Sequence, residues 1–242
     1  MCFNFYWMKK FDLLKATRLL IVLIISIFML PGCSNKGKNI RVKVGTAAED
    51  FTDPNTAKQE GRLRATAFVI AGNTTKLCIV SCDIITIARE YIDETGKKIE
   101  DELGIPFKNI LIAATHTHSG PSRDDPKVIK RLQDAIFASV SKANEKLKTA
   151  NDVSMYFRLG QEATIGQNSR LLLSDGTIYW YGNYDDAIRP TGSFDPELPV
   201  IAFKSEDQKL EAVLFNHSTH TIGARQKGVL SPVFYGLAVQ EL

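Results

Sequence analysis

Apolar positions along this chain fall into two rhythms: short runs or alternations, and stripes spaced by three and four. The runs "LRATAFVI" and "LCIVSCD" flank the turn-rich "AGNTT", which predicts a hairpin with strands near 63–70 and 76–82. From Ile85 to Leu103 the spacing changes. Ile87, Tyr91, Ile92, Thr95, Ile99 and Leu103 form one stripe with charges between them, so a helix is predicted. Gly96 inside it costs about 1 kcal/mol against alanine, and Gly104 and Pro106 stop it. "NILIAAT" (109–115) then reads as a buried strand.

A second helix is predicted after Asp125, which can cap. Pro126 suits the first turn, and Val128, Leu132, Ile136, Val140, Ala143 and Leu147 make its apolar stripe. "VSMYFRL" (153–159) alternates as a half-buried strand does. "LLLSDGTIYWY" carries Asp175-Gly176 at its centre, a hairpin signal. The segment 185–199 reads as a long loop, and "VIAFKSEDQKLEAVLFNH" as a further hairpin. Residues 34–60 are polar, with one short strand candidate near 40–44, and read as a tether into a domain over 61–242.

The order strand, helix, strand, with a connection of about 25 residues, suits two parallel strands joined by a right-handed crossover. The fold class is therefore α/β: a mixed sheet with flanking helices and hairpins. Asp83 closes the first parallel strand and His116 the second. Both stand at the carboxyl end of the pair, where open α/β sheets place ligand sites.

Composition changes this picture at the amino terminus. "MKKFDLLKATR" is a basic stretch and "LLIVLIISIFML" (19–30) an apolar core of 12 residues, shorter than the roughly 20 a spanning helix needs. Residues 1–33 therefore read as a secretory signal. Its end, "LPGC", resembles the bacterial lipobox, making Cys33 the expected lipidation site; an ordinary signal peptide is the alternative. Either implies export: a lipid-anchored protein of the bacterial envelope, at the outer membrane or cell surface, or a secreted one. Residues 1–33 hold four basic residues and one acidic, so the chain's 30 basic and 27 acidic residues become 26 of each without them. A neutral mature chain offers no electrostatic case for nucleic acid. Cys78 and Cys82 are four residues apart on one strand face, about 13 Å and too far to pair, so they are read as small buried hydrophobes.

Histidine is where the chemistry concentrates. The chain has four, in two pairs: His116 and His118 in "ILIAATHTHSGPSRDD", and His217 and His220 in "VLFNHSTH". A lone histidine is more often a core or surface residue, but that reading must here hold twice, at two strand ends. Neutral imidazole is the commonest protein metal ligand, and zinc takes nitrogen and oxygen donors. On an extended chain His116 and His118 face one side about 6.6 Å apart, so one can bind a metal while the other contacts substrate. A metallo-β-lactamase would show Asp-His directly after the pair, and an amidohydrolase barrel would need eight strand–helix units in place of these hairpins. The residues alone stop at a zinc-type α/β hydrolase.

"NILIAATHTHSGP" resembles the signature of the neutral/alkaline non-lysosomal ceramidase family. The likeness extends through "LRATAFVI", "IVSCDIITI", "NSRLLLSDGTI" and "DPELPVIAF" to "VLFNHSTH", from about residue 60 onward. The resemblance implies a zinc-dependent amidohydrolase acting on the N-acyl bond of ceramide or a related substrate. It implies His116 and His217 as zinc ligands and His118 as the catalytic histidine near the reacting group. Asp83, on the same rim, and Arg170 are the expected substrate-binding residues. Arg170 stands one place later than the arginine of the family's Asn-Arg, because Ser169 follows Asn168, and "NHST" replaces the usual His-Pro-Thr. His220 is expected outside the first ligand shell. The family's remaining ligands, a glutamate and a tyrosine, and its serine nucleophile lie further along family chains than Leu242. The catalytic domain is thus expected to be incomplete at its C-terminus and inactive as it stands. An amide or ester hydrolase of a non-lipid substrate, or a non-catalytic surface-anchored binding remnant, are the alternatives.

Overall fold

The computed structural model describes residues 41–179, 185–224 and 226–242. Seven strands form one sheet in the order β10-β9-β5-β1-β2-β3-β4. In chain order these are β1 (Arg41–Asp50), β2 (Arg64–Ala71), β3 (Lys76–Cys82), β4 (Ile110–Ala114), β5 (Val153–Gln161), β9 (Glu197–Lys204) and β10 (Leu210–Phe215). A second sheet, β7-β6-β8, is made of β6 (Leu171–Leu173), β7 (Ile178–Tyr179) and β8 (Ala187–Pro190). The helices are α1 (Arg89–Leu103), α2 (Pro126–Lys146) and α3 (Val233–Glu241). The architecture is mixed α/β, with β3 and β4 parallel and the other strand pairs antiparallel.

Local chemistry explains most boundaries. The Asp125 side chain accepts from the Lys127 amide at 2.8 Å, and Pro126 opens α2. Gly104 ends α1 at φ 66°, its amide donating to Glu100 O at 3.1 Å. Gly96 sits within α1 because the ring of Phe107 packs there: a Cβ would stand 2.5 Å from it. α1 starts at Arg89, later than its apolar spacing suggests, because the Ile84 and Ile85 carbonyls bond to His116.

The main core lies between α1, α2 and one face of β2–β4. Val69, Cys78, Val80 and Cys82 on the strands meet Ile99, Ile136 and Val140 on the helices, all fully buried. The two cysteines are free, as their strand spacing requires; burial pushes the Cys78 thiol up to about 12 and Cys82 further still. On the opposite face, Val44, Phe68 and Phe203 make a smaller core, with the two phenylalanine rings 5.1 Å apart.

Two departures from the sequence pattern are physical. The segment read as a tether contains β1, a ten-residue strand between β2 and β5 that belongs to the same compact unit as the rest of the described sheet. Its polar residues sit on a strand that pairs with β5 through Arg41 and Val42 and with β2 from Lys43 to Asp50; only Val44 and Gly45 are buried. β5 alternates as predicted, yet only Val153 is buried, and Met155, Phe157 and Leu159 remain exposed.

Candidate metal centre

The parallel pair β3–β4 delivers the first half of the site. Past its end, the Thr115 amide bonds to Cys82 O at 2.9 Å and the His116 amide to Ile84 O at 3.0 Å. His116 then takes φ 66°, a left-handed conformation that a non-glycine residue adopts at a cost of about 1–3 kcal/mol. That turn replaces the extended spacing expected for His116 and His118. Their ring centroids are 5.0 Å apart and their Nε2 atoms 3.4 Å.

The second half arrives on the irregular segment after β10. Thr221 Oγ1 donates to His116 O at 2.6 Å and lies 3.3 Å from Thr115 O, fastening the two segments together. Ser119 Oγ accepts from the Ala224 amide at 2.7 Å, and the Ser231 amide donates to Ser119 O at 2.8 Å. Tyr235 on α3 donates to His217 O and lies 3.0 Å from Thr219 O. These bonds set His220 beside the first pair. Its ring centroid is 5.0 Å from that of His116 and 4.9 Å from that of His118, and its Nε2 is 3.1 Å from His118 Nε2.

The result is three imidazoles, His116, His118 and His220, whose ligand nitrogens all lie within 4.8 Å of one another. His116 Nδ1 is 2.7 Å from Ile85 O, an acceptor, so Nδ1 carries the proton and Nε2 presents a lone pair to its neighbours. Burial first, then the neighbouring His118 and His116, hold the His220 imidazole below its ordinary pKa, favouring the neutral form. Tetrahedral zinc–nitrogen bonds of 2.0–2.1 Å place adjacent nitrogens about 3.3 Å apart. The separations of 3.4 and 3.1 Å fit that requirement. A donor set of imidazoles suits a borderline transition metal and is ill suited to calcium or magnesium, which take oxygen. His118 and His220 are exposed, so the group is open to solvent.

The expected site residues are therefore only partly brought together. His116 and His118 converge, with His118 inside the donor group. His217 does not join them: it is 7% exposed, its Nε2 bonds to Glu162 O at 3.1 Å, and its Nδ1 accepts from the Thr219 amide at 3.3 Å. Both ring nitrogens are engaged, and it is the imidazole of His220, expected outside the ligand shell, that stands beside those of His116 and His118.

Asp83 is 5% exposed and stands beneath the site, away from any open rim. Its Oδ2 accepts from the Arg64 amide at 3.0 Å and its Oδ1 from Thr115 Oγ1 at 3.2 Å. Burial pushes its carboxyl up to about 7 against the pull of these bonds and of Arg64. Arg170 lies just before β6, outside the imidazole group. Its Nη1 donates to Ser169 Oγ at 2.8 Å and its amide to Asn168 Oδ1 at 2.9 Å. Cys33 lies outside the described residues. Thr115, Thr221 and Tyr235, which hold the site together, were not singled out from sequence; nothing in their spacing marks them.

No protein-family model and no curated protein matches the chain. Solved structures do. A structure described as ceramidase complexed with C2 is similar over 79% of this chain, with a TM-score of 0.56 and 18% identity. The neutral ceramidase of Pseudomonas aeruginosa is similar over the same share, with a TM-score of 0.56 and 17% identity. The chain spans 37% and 38% of those two structures' own lengths. Its fold over that shared region is the neutral ceramidase fold, as the Thr-His-Thr-His signature implied.

Proposed function

We propose that this protein is a zinc-dependent hydrolase of N-acyl amides, with ceramide or a related N-acyl lipid as substrate. The observation that carries the reading is the convergence of three imidazole nitrogens within 4.8 Å on a neutral-ceramidase fold. His116, His118 and His220 would hold the ion through Nε2, leaving one position open, the ligand count usual for catalytic zinc. A zinc ion held there would supply Lewis-acid chemistry, polarising an amide carbonyl and favouring deprotonation of a hydroxyl nucleophile. The chain's own contribution is orientation. Ile85 O fixes the tautomer of His116, and Thr221 locks the His220 segment to the turn at His116. His217 has a structural part, holding the 216–221 segment against Glu162 O.

The test compares two histidines three residues apart. Zinc binding by calorimetry should be lost in His220→Ala and kept in His217→Gln. The latter should lower stability by roughly 1–3 kcal/mol through its buried hydrogen bonds. Where the serine nucleophile that the family resemblance implies is present, fatty-acid release from an N-acylsphingosine should need the metal and vanish in His116→Ala and His220→Ala. Undiminished zinc binding in His220→Ala would reject this ligand set. Chelator-insensitive release would reject metal catalysis.

A further inference from the structure

The geometry points to Asp83 as a positioning residue: through Thr115 it holds the backbone turn that aims the His116 imidazole. The placement is unusual for a carboxylate. Asp83 is nearly enclosed, and among the described residues its oxygens meet hydrogen-bond donors and no ion-paired side chain. Oδ2 takes the Arg64 amide of β2 at 3.0 Å, and Oδ1 takes the Thr115 hydroxyl at 3.2 Å. The Asp83 amide itself donates to Arg64 O at 3.0 Å. One side chain thus ties the start of β2 to the residue that precedes His116.

α3 closes the cover. A Cβ on Gly236 would lie 2.8 and 2.9 Å from the two carboxylate oxygens, so a helix backbone rests directly on the carboxyl group. The position it braces is the one that needs bracing. His116 is at φ 66°, and a strained residue keeps such a conformation only when its surroundings over-determine it. Thr221 holds the carbonyl side of the turn from above, and Asp83 holds the Thr115 side from below. Loosening that turn frees the ring to rotate away from Ile85 O, and the fixed tautomer goes with it.

The metal-affinity part of the test rests on the zinc-site reading; the other part does not. Full-length protein labelled with 15N-histidine reports the His116 tautomer without metal, and titration with Co2+ reports affinity and the visible absorption of the bound ion. Thr115→Val and Asp83→Ala should abolish the single Nδ1–H signal of His116, weaken Co2+ binding about 10–100-fold and alter its absorption bands. Asp83→Asn should rescue all three, since its oxygen can take the Arg64 amide and its nitrogen can reach Thr115 Oγ1. If Asp83→Ala does not fold, Thr115→Val decides. A folded variant of either kind with the wild-type His116 signal would overturn the positioning role. Wild-type protein that binds no Co2+ would instead remove the metal reading, and the His116 signal would still decide this one.

Discussion

A carboxyl group enclosed at the end of β3 makes stability depend on pH. In the unfolded chain Asp83 ionises near 3.8; in the fold, burial holds it at about 7. Between those values the unfolded state binds fewer protons than the native one. Stability should therefore fall as pH rises through that window and level off above it. The ceiling on this loss is about 4 kcal/mol. Asp83→Asn should flatten the profile: melting temperatures measured from pH 4 to 8 should drop less in the variant than in the wild type. An equal drop in both would place the dependence elsewhere. At this scale the sequence disclosed chemistry better than direction. It singled out histidine as the residue type able to hold a metal, and the two segments that carry it. The expectation for His217 came from the family resemblance, whereas the structure gathers His220 beside His116 and His118. His217 is held apart from that group by a bond to Glu162 O, 55 residues away in the chain, and no local pattern encodes it.

At the scale of elements, periodicity sufficed wherever an element has one buried face. α2, with its Asp125 cap and its stripe from Val128 to Ala143, lies where its pattern put it, as do β2 and β3. β1 was read short because burial along it is intermediate and its role comes from its neighbours, β2 and the distant β5. Similarly, β8 pairs inside what reads as a loop, since three residues on β6 give it a partner. α2 lies directly on β1 at Gly45, where a Cβ would stand 2.0 Å from Ala143 O. Backbone on both sides leaves nothing flexible to yield. Gly45→Ala should destabilise the fold by about 3 kcal/mol, read from urea denaturation. A change under about 0.5 kcal/mol would mean the helix can lift off the strand freely.

For the whole molecule, the described residues contain no helix long and apolar enough to cross a membrane. For residues 1–33, which lie outside the described part, we propose a lipid-modified Cys33, as the "LPGC" stretch suggests. Cys33→Ser should move the protein from the membrane fraction to the soluble one, as followed by fractionation and immunoblot. An unchanged distribution would leave an ordinary signal peptide as the reading of residues 1–33.

The seam that joins the two histidine segments carries one more consequence. Two of the donors leave the end of β4 and the third rides on a stretch without regular secondary structure, fastened by Thr221, Ser119 and Tyr235. An ion held by all three closes a loop of more than a hundred residues of chain, His116 to His220. Opening of that seam would carry His220 away and leave such an ion on two donors, so substitutions at Thr221, Ser119 or Tyr235, which never touch the ion, would weaken its hold.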